Sequence, residues 1–296
     1  MPELPEVETI ARTLALQIVG SAITSVHVLH SASLAAGAAL LPALAGSRIA
    51  RVARRGKLLV LCLEHDADAV PVLVPGLPKA SLYLVFHLKM TGSFFVHPPE
   101  TAALKHTRLI FDLGENSRPE KPTTRGRLFF DDIRTFGYCR VMLPNDFALW
   151  GFFTSLGPEP LSVGNEDIAQ ALKRGGGNIK AALLDQRRLA GIGNIYADES
   201  LFQAKIAPQT KISALSRNAL LRLAVSLRAV LEQAVRECGS SIRNYRDAAG
   251  NAGSFQNSFM VYGRKGEKCR ICGTTLLGSK VAGRTTVHCP RCQKLP

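Results

Sequence analysis

The spacing of apolar residues divides the chain into a region of alternating residues followed by a region of helical periodicity. Seven short segments alternate between positions 20 and 145: ITSVHV, SRIARVA, KLLVLCL, LYLVFHL, TRLIFDL, RLFFDD and YCRVML. Alternation between turn-rich connections is typical of β-strands. It predicts an antiparallel β-sandwich or barrel. Two connections, DADAVPVLVPGLPKAS and GENSRPEKPTTRG, are rich in proline and glycine and are predicted to be surface insertions.

Beyond GPEPLS the apolar period becomes helical. One face of a long amphipathic helix is formed by Leu220, Leu223, Ala224, Leu227, Leu231, Ala234 and Val235. Spacings of three and four residues keep these side chains on one side of the helix, which is predicted to end before Gly239. The two regions together predict an α+β fold with more than one domain.

The first eight residues, MPELPEVE, combine prolines with acids at the start of a basic protein. Pro5 and Glu6 suit the first turn of a helix, because proline is preorganised there and an acid complements the positive helix end. Val7 and the apolar residues that follow would form its buried stripe. Pro2 and Glu3 fall outside this helix and are therefore candidates for chemistry.

The chain of 296 residues carries a formal net charge of +14, with a pI near 9.8. Such a charge predicts an acidic partner, either nucleic acid or an anionic membrane, although a basic enzyme with solvated charged faces is the alternative. No apolar run approaches the ~18 residues of a membrane span, and we see no leader. Half of the net charge lies in 257–296, and a second basic cluster comprises Arg51, Arg54, Arg55 and Lys57. The two clusters favour nucleic acid.

Four of the seven cysteines form two CxxC pairs separated by sixteen residues: Cys269, Cys272, Cys289 and Cys292. This spacing is typical of one tetrahedral zinc ion, with disulfides as the alternative. Four thiolates would close the coordination sphere, so the ion is predicted to be structural. Between the pairs, LLGSKVAGRTTVH predicts a hairpin whose turn near Gly283 holds Arg284 outward. The other cysteines are predicted to be buried thiols: Cys62, Cys139 and Cys238.

The stretch LAGIGNIYADESLF contains a GxG pattern, which is weak evidence for a dinucleotide site because Tyr196 stands at the third glycine position. The alternative is a helix capped by Asn194. The backbone N–H groups of that helix could bind a phosphate, or the residue could be a simple cap.

Taken together, these motifs resemble the bacterial formamidopyrimidine-DNA glycosylases, which are related to the endonuclease VIII enzymes. The resemblance runs from MPELPEVE through GIGNIYADE and the Phe255–Gln256 pair to CPRCQK, and Leu4 favours the formamidopyrimidine branch. It implies an N-terminal helix and β-sandwich domain (1–145), a helix–two-turns–helix domain (146–256) and a zinc finger (257–296). His288 and Leu276 depart from the usual residues of the finger without removing a metal ligand.

The resemblance implies a monomeric, bifunctional glycosylase and abasic-site lyase that excises oxidised purines from double-stranded DNA, without a membrane partner. It would act in the bacterial cytoplasm at the nucleoid. After removal of Met1, the secondary amine of Pro2 would attack the sugar, Glu3 would act as general acid with a raised pKa, and Glu6 would position them. An endonuclease VIII-like preference for oxidised pyrimidines, or a non-catalytic zinc protein that binds DNA, are the alternatives.

The resemblance also implies DNA contacts. Lys57, Asn194 and Arg284 would bind phosphates around the damaged nucleotide. Lys57 and Arg284 would also belong to the catalytic residues. His87 and Tyr245 would make further contacts with the DNA backbone. Met90, Arg134 and Phe136 would fill the gap left by the extruded base. On sequence alone, however, the apolar Met90 and Phe136 are assigned to the core more readily than to the surface. The flexible segment 246–253 would close over that base.

Overall fold

Two sheets and one helix build the N-terminal part of the protein. In a computed structural model, which describes residues 1–64, 74–114, 125–242 and 245–294, the helix α1 (Leu4–Ile18) precedes nine strands in the described part of this region. The strands are β1 (Ile23–Val28), β2 (Leu34–Ala36), β3 (Arg48–Arg55), β4 (Leu58–Glu64), β5 (Leu82–His87), β6 (Gly92–His97), β7 (Thr107–Leu113), β8 (Gly126–Asp132) and β9 (Tyr138–Met142).

The strands form a four-stranded sheet in the order β1-β7-β8-β6 and a five-stranded sheet in the order β2-β9-β5-β4-β3. All seven predicted strands are confirmed, whereas β2 and β6 were not predicted. β2 is only three residues long, and β6 opens with a glycine and a serine. Pairing departs from the antiparallel pattern at one edge, where β2 runs parallel to β9.

The core lies between the two sheets and under α1. Phe86 of the five-stranded sheet lies 4.8 Å from Phe94 and 5.4 Å from Phe130 of the other sheet, measured between ring centroids. Val7 and Leu14 are among the α1 residues that join this core. These contacts confirm the predicted sandwich, in which the facing sides of the two sheets form the core. The central strands β4 and β5 are buried on both faces.

The two predicted insertions are only partly described. Residues 65–73 and 115–124 lie outside the described residues. In the described remainder of the first insertion, Val74, Leu77 and Ala80 are buried. That part is therefore packed against the protein, in contrast to the predicted surface position.

The following part of the chain is helical and ends in a hairpin. Its elements are α2 (Asp146–Leu149), α3 (Gly151–Thr154), α4 (Asn165–Lys173), α5 (Ile179–Leu184), α6 (Asn194–Gln203), α7 (Arg217–Arg236), β10 (Leu277–Val281) and β11 (Arg284–His288). Ser216 caps α7 by accepting a hydrogen bond from Ala219 N, 3.2 Å away. The predicted apolar face of this helix is buried except for Val235, which is half-buried. Among the described residues no helix is long and apolar enough to cross a membrane.

Contacts group the chain into two units, Met1–Thr154 with Ser240–Gly253, and Ser155–Gly239 with Ser254–Pro296. Residues 240–253 join the first unit because Ala248 is buried in its core. The boundaries of the three predicted domains stay a prediction. Cys238 was expected to be buried and is exposed, because the chain leaves α7 there with a left-handed φ of 58°. Cys62 and Cys139 are buried, as expected.

Candidate functional site

The amino terminus forms a buried acidic cluster in the first unit. Pro2 is buried, and Glu3 and Glu6 are 3% and 2% exposed. Helix α1 begins at Leu4, one residue earlier than predicted, so that Glu3 is its cap. Glu6 Oε2 accepts a hydrogen bond from Glu3 N at 2.9 Å, and its Oε1 accepts one from Ser240 N at 2.8 Å. Glu6 therefore holds the backbone of the segment that carries Pro2 and Glu3.

The segment that was predicted to be flexible is anchored to α1. Ala248 N donates to Thr13 Oγ1 at 3.2 Å, and Gln17 Nε2 donates to Ala248 O at 3.0 Å. Asp247 Oδ1 accepts hydrogen bonds from the N–H groups of Ala249 and Asn251, at 2.9 and 2.8 Å. The side chain of Asp247 thus closes a local turn around the buried Ala248, and hydrogen bonds hold this segment against α1.

Tyr245, expected to contact the DNA backbone, lies beside the same cluster. Its hydroxyl donates to Glu6 O at 3.3 Å, and its ring packs against the core of the first unit. The structure therefore brings Tyr245 together with Glu6. A DNA contact of this residue stays a prediction.

His87 and Lys57 also belong to the first unit. Burial, together with the charges of Lys89 and Lys57, lowers the pKa of His87 to about 3. Since His87 Nδ1 accepts a hydrogen bond from Lys89 N at 3.0 Å, the neutral ring carries its proton on Nε2. Lys57 follows Gly56 in the turn between β3 and β4 and is largely buried. Of the neighbouring basic cluster, Arg54 is bound at 2.9 Å to Glu8.

Met90, Arg134 and Phe136 occupy two neighbouring turns. Met90 is 40% and Phe136 53% exposed, so the alternative that they are core residues is wrong. The Arg134 guanidinium lies 4.7 Å from the centre of the Phe136 ring. The structure thus places two apolar side chains and one cation at the surface. Their insertion into a base stack stays a prediction.

In the second unit, Asn194 and Arg284 are carried by contacting elements. Gly193, not Asn194, caps α6, and Asn194 is the first helical residue. Its Nδ2 donates to Thr285 O at 2.9 Å, next to Arg284. Ala282 and Gly283 form the hairpin turn with φ values of 51° and 72°, and Arg284 is exposed beyond it. The predicted hairpin and the outward arginine are confirmed.

A buried ion pair fixes the same strand, and the sequence reasoning did not find it. Lys180 and Asp198 are 0% and 1% exposed, and Lys180 Nζ lies 2.5 Å from Asp198 Oδ1. Lys180 also donates to Thr286 Oγ1 at 2.6 Å, and Asp198 Oδ2 accepts a hydrogen bond from Val287 N at 3.2 Å. A lysine within the apolar stretch IKAALL was the available signal.

Glu199 is a second buried acid that the sequence reasoning missed. Its carboxylate accepts three backbone hydrogen bonds, from Met260 N, Val261 N and Tyr262 N, at 2.8 to 3.0 Å. Burial raises the pKa of Glu199, and the three N–H groups oppose the rise. This residue fixes the chain just before the cysteine-rich hairpin.

The four predicted metal ligands meet in space. Their sulfur atoms all lie within 4.8 Å of one another, and two of the pairs are 3.9 and 3.5 Å apart. A tetrahedral zinc ion with Zn–S bonds of ~2.3 Å needs sulfur atoms about 3.8 Å apart, so the four residues fit the ion. Disulfides are excluded as the arrangement here, since all four cysteines are free. His288 is not part of this group.

Family models match three consecutive parts of the chain. The N-terminal domain of formamidopyrimidine-DNA glycosylase matches residues 1–139, its H2TH domain matches 156–246, and the zinc finger found in FPG and IleRS matches 266–295. The chain belongs to the formamidopyrimidine-DNA glycosylase family. A formamidopyrimidine-DNA glycosylase of Nitratidesulfovibrio vulgaris is 41% identical, over 99% of this chain and all of that protein.

Solved members of the family have the same fold. A variant of the Lactococcus lactis FPG in complex with Fapy-dG-containing DNA has a TM-score of 0.84 and 33% identity, covering 99% of this chain and 100% of that one. A MutM complex with DNA containing carbocyclic 8-oxo-G has a TM-score of 0.83 and 32% identity, with the same coverage. The predicted architecture of β-sandwich, helical H2TH region and zinc finger is confirmed by these matches, and so is the zinc ion.

Proposed function

We propose that this family member, a DNA glycosylase of base excision repair, excises oxidised purines from duplex DNA and then cleaves the abasic strand. The substrates are 8-oxoguanine and formamidopyrimidines, the two lesions bound by the solved relatives described above. The observation that carries the proposal is the buried cluster of Pro2, Glu3 and Glu6. The protein acts as a monomer in the cytoplasm, at the nucleoid.

Once Met1 is removed, Pro2 carries a secondary amine. An α-amine titrates near ~8, so a substantial neutral fraction exists at physiological pH. This amine attacks C1′ of the damaged nucleotide, the base leaves, and an iminium forms between Pro2 and the opened sugar. The iminium makes the C2′ proton acidic, so the 3′ phosphate and then the 5′ phosphate are eliminated.

Glu3 supplies the proton for ring opening. Burial disfavours the ionised form of a carboxyl group, and a protonated acid is what the sugar oxygen needs. Glu6 is the positioning residue, because it already binds Glu3 N and Ser240 N. Catalysis by Pro2 and Glu3 depends on the alignment of both groups with the sugar, and a fixed backbone contributes to this alignment.

Phosphate contacts come from both units. Lys57 with the neutral His87 belongs to the first unit, and Asn194 with Arg284 to the second. Such contacts fix the register of a protein on DNA without reading sequence. The zinc ion, bound by four thiolates, supplies folding energy to the hairpin that carries Arg284 and takes no part in the reaction.

The proposal is tested by reduction with borohydride in the presence of duplexes that each carry one defined lesion. We expect a covalent adduct with 8-oxoguanine and formamidopyrimidine duplexes, mapped by peptide mass to Pro2. The matched control is Pro2→Gly, which should keep much of its binding to damaged DNA and lose most excision. Stronger trapping with oxidised pyrimidines would favour the endonuclease VIII-like alternative, and damage binding without an adduct would favour the non-catalytic one.

A further inference from the structure

The three side chains proposed to fill the gap in the DNA are carried by two separate turns of the first unit. Met90 lies between β5 and β6, whereas Arg134 and Phe136 lie between β8 and β9. Both turns contain left-handed backbone, with φ of 49° at Lys89 and 55° at Thr135. Without a tie between them, each turn would have its own conformational freedom.

The side chain of Asp132 provides this tie. It is fully buried, and its Oδ1 accepts hydrogen bonds from Thr91 Oγ1 in the first turn and, at 3.1 Å, from Arg134 N in the second. Its Oδ2 accepts one from Gly137 N at 2.6 Å. Thr91 Oγ1 itself lies 3.1 Å from Arg134 N, so the two turns share one hydrogen-bonded centre.

The backbone of Asp132 is also fixed by hydrogen bonds. Asp132 N donates to His106 O at 2.9 Å, and Asp132 O accepts a hydrogen bond from Arg108 Nε at 2.8 Å. The second turn closes tightly on the side chain: a Cβ atom at Gly137 would lie 3.0 Å from Asp132 Oδ2 and 2.8 Å from Phe130 Cζ. The centre therefore has a defined position in the sheet.

We propose that Asp132 is the positioning residue that fixes Met90, Arg134 and Phe136 as one preorganised wedge. Side chains that are already ordered lose less conformational entropy when they enter the base stack. Arg134, whose backbone N–H donates to this carboxylate, would then meet the unpaired base opposite the lesion in a single orientation. This inference rests on the proposed function, and it adds a residue that need not touch DNA.

The chemistry of the centre requires a carboxylate rather than an amide. Both oxygens accept hydrogen bonds from backbone N–H groups, Oδ1 from Arg134 and Oδ2 from Gly137. An asparagine has one acceptor oxygen, so in either orientation its NH₂ group would face one of these donors. Asp132→Asn should therefore loosen one turn while leaving volume and shape almost unchanged.

The test compares Asp132→Asn with Asp131→Asn, which removes the same charge from the adjacent residue of the strand. Thr91→Val, which deletes the hydroxyl of the centre, is paired with Thr91→Ser, which retains it. Excision is measured with 8-oxoguanine opposite cytosine and opposite adenine, and cleavage is measured on a duplex with a preformed abasic site. Fluorescence of 2-aminopurine next to the lesion reports the unstacking step.

We expect Asp132→Asn to slow excision opposite cytosine by about tenfold, which is the order of effect expected when one hydrogen bond to a carboxylate is lost. The preference for cytosine as the opposite base should become weaker. Cleavage of abasic DNA should fall by less than about threefold, since no base must be extruded. Thr91→Val should show a smaller loss of the same kind, Thr91→Ser should restore it, and Asp131→Asn should behave like the wild type.

Two results would overturn the inference. Equal losses on lesion and abasic substrates would show a general structural role, and unchanged opposite-base preference with unchanged fluorescence in both Asp132→Asn and Thr91→Val would show no role in the wedge. Failure of the proposed function has a different signature. In that case the wild type itself would form no borohydride adduct with abasic DNA, whatever the variants do.

Discussion

Replacement of Lys180 by methionine should destabilise the strand that carries Arg284. Methionine nearly matches the length of the lysine stem but removes the ammonium group that binds Asp198 Oδ1 at 2.5 Å and Thr286 Oγ1 at 2.6 Å. Removal of one member of a buried ion pair costs about 3–5 kcal/mol, because the other charge is left without compensation in a site that excludes water. Asp198 can lessen this cost by taking up a proton.

The loss should therefore depend on pH. Burial raises the pKa of Asp198 from 3.8 to about 6 in the folded protein, with Lys180 opposing the rise. The folded state thus binds this proton more tightly than the unfolded state, and stability falls as the pH rises through that interval, by about 3 kcal/mol in all. Without Lys180 the pKa of Asp198 in the folded state moves higher, so the pH range over which stability falls extends to more alkaline pH. The difference between Lys180→Met and wild type should grow above about pH 6.

Hydrogen exchange of the amides in 284–288 measures this local free energy, corrected for intrinsic exchange rates at each pH. Global unfolding is unsuitable, since a protein with two units and a metal is not expected to unfold in two states. Lys180→Met/Asp198→Asn should recover most of the loss because neither charge remains, whereas the exposed Lys173→Met is the surface control. A change below about 0.5 kcal/mol in Lys180→Met, the same at every pH, would refute the reasoning.

Three further predictions concern the chemistry, the metal and the opposite base. Glu3→Gln should leave an amine that borohydride traps and should cleave preformed abasic sites better than it excises lesions; equal loss on both substrates would assign Glu3 another role. Chelation or Cys289→Ser should release zinc and cripple DNA binding while the β-sandwich stays folded, as judged by circular dichroism, and full activity of a verified zinc-free protein would contradict this. Arg134→Ala should remove the preference for cytosine over adenine opposite 8-oxoguanine, worth about 1–3 kcal/mol, because arginine offers only donors and cytosine exposes two acceptors. Discrimination as sharp as in the wild type would show that Arg134 is not the reader.

The amino-acid sequence was sufficient where the signal is local. Alternating segments predicted seven strands, the spacing of two CxxC pairs predicted the zinc site, and the hairpin between them was placed with Arg284 outside its turn. Each of these depends on residues a few positions apart, whose geometry follows from strand periodicity or metal coordination. The resemblance carried by MPELPEVE and GIGNIYADE supplied the chemistry.

Errors in these predictions arose where the decisive contact is distant. The segment 246–253 has a loop composition, and nothing nearby indicates that Ala248 binds Thr13 and Gln17, more than 230 residues earlier. Exposure is similarly non-local. Met90 and Phe136 are apolar residues that the sequence assigns to the core more readily than to the surface, yet both are exposed.

The tertiary structure alone decided which polar residues are buried and what they hold. Lys180 and Asp198, separated by 18 positions, meet beside Thr286, and Asp132 joins two turns that are more than 40 residues apart in the chain. Because a buried polar group is tolerated only with its hydrogen-bond partners in place, such centres exist only once the sheets and helices have brought those partners together. The sequence by itself determined the strand segments, the metal ligands and the family, whereas the folded chain determined how the proposed DNA-binding side chains are held.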